Sequence, residues 1–103
     1  MICVTVLYAN VPGKRFDHDY YVKTHMPLCL DRLKNHGMVR FEVDKGLAGR
    51  ESGAAAPFIC LGRLYFMNLE GFQEGMQTHG AEIMADIPNY TDIAPDLQVS
   101  QNS

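Results

Sequence analysis

FDHDYYVKTHMPL, residues 16–28, opens a helix just after a strand-like run, ICVTVLY (residues 2–8), and the breakers Asn10, Pro12 and Gly13. Asp17 is placed to cap that helix by accepting a hydrogen bond from a first-turn N–H, and Asp19 puts negative charge where the helix dipole favours it. Tyr21 and His25, four apart, share one helix face. Pro27 has no N–H to donate and biases Met26 away from helical geometry. The pattern predicts a helix over residues 17–35, bent near Met26 and Pro27. Val22, Met26, Cys29, Leu30 and Leu33 supply its apolar stripe, and Lys34, His36 and Gly37 its stop signal.

Working outward, residues 2–8 are β-branched and apolar on both faces, as in a covered central strand. Val39, Phe41 and Val43 alternate with Arg40, Glu42 and Asp44, a strand with one wet face. GLAGRESGAAAP, residues 46–57, is small and polar and reads as a mobile hairpin loop, either a lid or a disordered connection. FICLGRLYFM, residues 58–67, is a third strand, apolar on both faces apart from Arg63. A second helix follows over residues 69–85, with Phe72, Met76, His79 and Ile83 along one face. Gly71, Gly75 and Gly80 weaken it, so tertiary packing has to hold it. IPNYTD, residues 87–92, is a turn. Residues 97–101 form a last short strand, and residues 101–103 a frayed tail.

The order βαββαβ defines one α+β domain over the 103 residues, a ferredoxin-like four-stranded antiparallel sheet with both helices on one face. Because the first and third strands are apolar on both sides, the second face calls for a cover, and a two-fold copy of the same chain is the simplest one. The net charge of −3 comes without a basic block, which argues against nucleic-acid binding. No apolar run is long enough to span a bilayer. Met1 leads straight into the first strand, without the charged region and cleavage site of a secretory signal. Three widely spaced cysteines, Cys3, Cys29 and Cys60, read as reduced thiols of a cytoplasmic protein.

His25 is the leading catalytic candidate, since an imidazole titrates near neutrality and can take or return a proton; the alternative is a hydrogen-bonded core histidine. Tyr21 can donate to a substrate or orient His25, or simply pack. His79 is a second pocket candidate, with Phe72 and Met76 beside it; the alternative is a solvent-facing or structural histidine. Tyr90 can close the pocket or pack over the helix end. Arg63 can bind an anionic oxygen or pair with a carboxylate at the strand edge. No H-x-x-x-H or H-E-x-x-H spacing occurs, so no metal site is expected, and no Gly-rich phosphate loop follows a strand.

The tyrosine pair and HMPL in the first helix, the strand order, and DIPNYT at residues 86–91 together resemble the EthD family, named for degradation of ethyl tert-butyl ether. The resemblance runs over nearly the whole chain, leaving out the 46–57 loop and the polar tail. It implies a dimeric α+β barrel and an enzyme, an oxidoreductase or lyase of catabolism or secondary metabolism. Such an enzyme would act without a cofactor on a small hydrophobic, aromatic or polyketide-like substrate. His25 and Tyr21 would carry the acid–base chemistry; His79, Tyr90, Arg63, Met76 and Phe72 would bind substrate. In related haem-degrading barrels the axial histidine resembles His79 in lying on the second helix. The rival reading is therefore a non-catalytic carrier of a hydrophobic metabolite or haem.

Overall fold

The computed structural model describes residues 1–103. Strand β1 (Ile2–Ala9) leads into a helical rod over residues 18–36, followed by the hairpin β2 (Met38–Lys45) and β3 (Phe58–Phe66). Helix α3 (Leu69–Asp86), a 3-10 turn (Ile87–Asn89) and strand β4 (Asp96–Gln101) complete the chain. The sheet order is β2-β3-β1-β4 with every pairing antiparallel. This is the ferredoxin-like arrangement that the element order predicts. No helix is long and apolar enough to cross a membrane.

The rod begins as predicted, with the Asp17 carboxylate accepting from the Tyr20 N–H. Pro27 does not act as expected. A short α-turn α1 (His18–Tyr20) passes into a π-helical segment (Tyr21–His25) and then into α2 (Met26–Leu33). The Met26 N–H reaches back to the Tyr21 carbonyl, and Pro27 falls at the start of α2, where its missing N–H is least costly. Met26 keeps helical angles, and the helix runs on through the proline by widening one turn; π-turns of this kind recur at functional sites.

Two segments far apart in sequence are clasped beside this widened turn. Phe16 bridges Thr91, the Asp17 N–H donates to the Tyr90 carbonyl at 2.8 Å, and the Thr91 hydroxyl donates to the Arg15 carbonyl at 2.7 Å. The Arg15 guanidinium donates to the Pro88 carbonyl at 2.6 Å. The Arg15 N–H donates to Asp92 at 2.8 Å. The IPNYTD turn is thereby fixed against the entry to the rod.

The core lies between rod, α3 and sheet, where Val4, Tyr8, Leu33, Cys60 and Phe66 are almost fully buried with Tyr21, Met26 and Tyr90. α3 crosses the end of the rod closely at Gly75, where any Cβ would meet Leu33 Cδ2 at 2.8 Å and His36 Cβ at 3.1 Å. Gly71 and Gly75, which weaken α3 as an isolated helix, are what allow that approach.

The register places Cys3–Tyr65–Arg40, Thr5–Arg63–Glu42 and Leu7–Leu61–Asp44 side by side on the face away from the helices. That face is therefore mixed, not apolar throughout. Its middle row is Thr5, Arg63 and Glu42, flanked by Cys3 on one side and by Leu7 and Leu61 on the other; Arg63 pairs with Asp44 at 2.7 Å and Glu42 at 3.4 Å, and Arg40 stacks on Tyr65 at 3.9 Å.

Residues 46–57 carry no regular element, but the loop is stapled internally and at its base. The Gly46 N–H donates to the Ile59 carbonyl at 2.9 Å, the Gly49 N–H to the Ala54 carbonyl at 2.9 Å, and the Asn10 side chain to the Ala56 carbonyl at 2.9 Å. At the other end, Gln101 is part of β4 opposite Ile2, and the Asn102 N–H donates to the Met1 carbonyl at 3.1 Å. The chain is thus paired through the first part of the expected tail, because β1 extends far enough to offer it partners.

Candidate functional site

His25 sits on the π-helical segment, 4% exposed, with its ring stacked on Tyr21 (centroids 5.5 Å apart, planes at 14°) and tilted against Tyr90 at 4.6 Å. Its Nδ1 lies 2.9 Å from an oxygen of Asp86, the last residue of α3. The other Asp86 oxygen accepts from the Tyr20 hydroxyl at 2.6 Å and the Asn89 amide at 2.9 Å. Burial pushes the Asp86 carboxyl up, but the hydrogen bonds from Tyr20, Asn89 and His25 outweigh it and hold the group below the usual carboxylate range. Asp86 is therefore an ionised acceptor, which assigns the neutral imidazole proton to Nδ1.

Burial lowers the His25 pKa below its ordinary value, against the opposing pull of the Asp86 hydrogen bond and charge. At neutral pH the ring is uncharged and Nε2 carries a free lone pair. Its neighbour within the protein is the Cys29 thiol, with Sγ at 3.7 Å. Burial pushes that thiol up to about 12, so Cys29 is a weak S–H donor and not a thiolate.

His25 lines a cavity of about 150 Å³ between the rod, α3 and the sheet, with Val6, Met26, Cys29, Leu64, Phe72 and Met76 among its walls. Tyr8 and Tyr21 also border it. The Tyr8 and Tyr90 hydroxyls share a 2.6 Å hydrogen bond. Burial, first of all, lifts the Tyr21 and Tyr90 phenols far above their ordinary value, so both stay protonated. Tyr21 is seated against β3 at Gly62, where any side chain would overlap its hydroxyl. A neutral imidazole backed by a carboxylate, opening on an apolar cavity bordered by phenols, can accept a proton and stabilise the imidazolium that forms.

The structure brings His25, Tyr21, Phe72 and Met76 together on this cavity. Tyr90 stands behind them, fully buried, against Tyr8, Tyr21 and His25 rather than at the cavity wall. Arg63 lies on the opposite face of the sheet, in its pairs with Asp44 and Glu42. His79 is turned from the cavity and packs edge-on against His36 at 5.5 Å. The arrangement does not fit a haem held axially by His79, since that histidine packs on His36 and does not line the cavity. No group of three or more His, Cys, Asp or Glu side chains is placed to hold a metal ion.

Asp86, Tyr20, Tyr8 and Asn89 were not singled out from the sequence. One signal did point to Asp86. A carboxylate in the last turn of a helix faces the negative end of the dipole, so it needs compensating donors from elsewhere.

The fold and site define a class: a small ferredoxin-like α+β protein whose first helix presents a carboxylate-backed histidine to a pocket over the sheet. The chain belongs to the EthD family, whose domain model matches residues 13–94. It is similar to an EthD-like protein of Ralstonia eutropha JMP134, with 46% identity and a TM-score of 0.92 over 97% of this chain and 89% of that one. An ethyl tert-butyl ether degradation (EthD) family protein of Bacillus halodurans C-125 shares the fold at 18% identity, with a TM-score of 0.65 over 100% and 99% of the two chains. So does a dimeric ferredoxin-like protein from an uncultured marine organism, at 10% identity and a TM-score of 0.56 over 100% and 97%. Comparison with curated proteins gave no match.

Proposed function

We propose that this chain is a small-molecule enzyme in which His25 acts as general base and then general acid on a hydrophobic, aromatic or polyketide-like substrate. The observation that carries the reading is the 2.9 Å bond from His25 Nδ1 to Asp86, which leaves Nε2 on an apolar cavity. Nε2 removes a proton from an O–H or an activated C–H, and the imidazolium is held by Asp86. The proton then returns to another atom of the substrate in an isomerisation, or to a departing group in a lyase reaction. An oxidoreductase would begin with the same deprotonation and pass electrons from the electron-rich anion to dissolved dioxygen. Tyr21 donates its phenolic proton as a hydrogen bond to developing negative charge. The reading calls on no bound cofactor. It includes a homodimer, supported by Cys3, Leu7 and Leu61 on the open sheet face; light scattering that gives the mass of one chain would remove that element.

The test is exchange of carbon-bound hydrogen in cyclohex-2-enone, followed by NMR in heavy water. Wild type should accelerate exchange and His25→Ala should lose about 10²–10⁴ of the rate. Full exchange by His25→Ala would end the base assignment. Binding without exchange by wild type would favour the carrier, a protein that holds its ligand unchanged.

A further inference from the structure

The cavity restricts what can sit against His25. Its volume is about 150 Å³, room for a single benzene-sized ring against the imidazole, and beyond that ring it opens to solvent at the exposed Met84 and Leu97. No Lys, Arg or carboxylate lines it, and its nearest full charge is Asp86, negative and behind the imidazole. A bound anion there would find no cation and face that carboxylate, and a bound cation would find no counter-charge at the wall; burying either without a counter-charge is strongly unfavourable. The sulfurs of Met26, Met76 and Cys29, with the ring of Phe72, offer the contacts that suit an aromatic ring. The single strong acceptor of fixed position is His25 Nε2, whose present partner is the Cys29 thiol at 3.7 Å. A hydroxyl is a better donor than a thiol and can replace it.

We infer that the site takes an uncharged single-ring compound bearing a hydroxyl, a phenol or a cyclic enol, with its O–H donated to His25 Nε2 in place of the Cys29 thiol. The inference rests on the assignment of His25 as base and narrows its substrate class to one ring. Cys29 is then a positioning residue: it holds Nε2 weakly enough for substrate to displace it.

The experiment is titration calorimetry with phenol, toluene, 1-naphthol and benzoate on wild type and on Cys29→Ser, with methionine methyl NMR shifts to locate binding. Phenol should bind at the cavity methionines. 1-Naphthol should bind no tighter than phenol despite its greater apolar area, and benzoate should not bind at concentrations where phenol saturates. Cys29→Ser puts a stronger donor on Nε2, so phenol should weaken about tenfold while toluene changes less than twofold. Equal loss for phenol and toluene would mean that the serine merely disturbs packing, and would overturn the hydroxyl placement. Benzoate binding as well as phenol, or tighter binding of 1-naphthol, would overturn the size and charge argument. If phenol fails to bind while His25-dependent exchange persists on cyclohex-2-enone, this inference falls and the base assignment stands. If phenol binds as described and no exchange occurs, the inference stands and the enzyme reading falls.

Discussion

Gly62→Ala perturbs the floor of the site at one atom. Gly62 lies mid-strand in β3, opposite Val6 of β1 and Val43 of β2. A methyl group there overlaps the Tyr21 hydroxyl and comes within 3.0 Å of Cζ and 3.3 Å of Cε2. The Tyr21 ring has little room to retreat, being stacked on His25 and edge-on to Tyr8 at 5.5 Å in each case. Two effects compete. Alanine in place of glycine inside a strand gains about 0.5–1 kcal/mol through lower backbone entropy in the unfolded chain. Forcing an extra carbon into a packed site costs about 1–3 kcal/mol. Overpacking wins, and the net loss is about 1–2 kcal/mol. With a urea dependence of about 1–3 kcal/mol per molar for a small domain, the midpoint falls by about 0.3–2 M. Tyr21→Phe removes the overlapping oxygen, so Gly62→Ala in the phenylalanine background should cost close to nothing. A double-mutant cycle by urea unfolding, read by circular dichroism, should therefore give a coupling of about 1–2 kcal/mol. Additive losses in the cycle would refute the claim that Gly62 is there for the Tyr21 hydroxyl.

Asp86→Asn should lower turnover by about 10²–10⁴-fold, because the imidazolium loses its counter-charge. The acid limb of kcat/KM should also move to lower pH, since the charge that supports protonated His25 is gone; an unmoved limb would show that Asp86 does not act through His25. Stability should fall on acidification. The folded His25 is held below its ordinary 6.5, so between its folded pKa and that value the unfolded chain binds the extra proton. The depressed Asp86 carboxyl adds a further loss as pH falls below its ordinary 3.8 toward the folded value; thermal midpoints that stay level from pH 7 to pH 3 would contradict both assignments. Cys29 and Cys60, each pushed up to about 12 by burial, should resist a thiol-disulfide reagent at neutral pH in the native protein and react at once in urea.

Most of the fold was legible because periodicity is local. The two-residue alternation over β2, the apolar runs of β1 and β3, and the Asp17 cap each announce their element within a few residues. Pro27 misled because its effect depends on the turn before it: the same missing N–H that ends one helix is absorbed by a π-turn in another. His79 followed the second of its two readings. Helical spacing puts it on one side with Phe72 and Met76, yet the close crossing at Gly75 turns it toward His36 and away from the cavity. Arg63 was placed correctly among its carboxylates by one of its two readings, since an arginine in an apolar strand has to find charge nearby.

The sequence by itself determined the element order, the α+β class, the family and the histidine and tyrosine at the head of the site, because those depend on neighbours in the chain. The tertiary structure alone decided the surroundings of His25. Asp86 lies 61 residues away along the chain, and Tyr8 and Tyr90 lie 82 apart. The clasp between residues 15–17 and 88–92, with the packing of α3 on the rod, closes those distances. Hydrogen bonds at 3 Å and burial from water set the charge on Asp86, the tautomer of His25 and the free lone pair on Nε2. No spacing along a chain encodes that geometry.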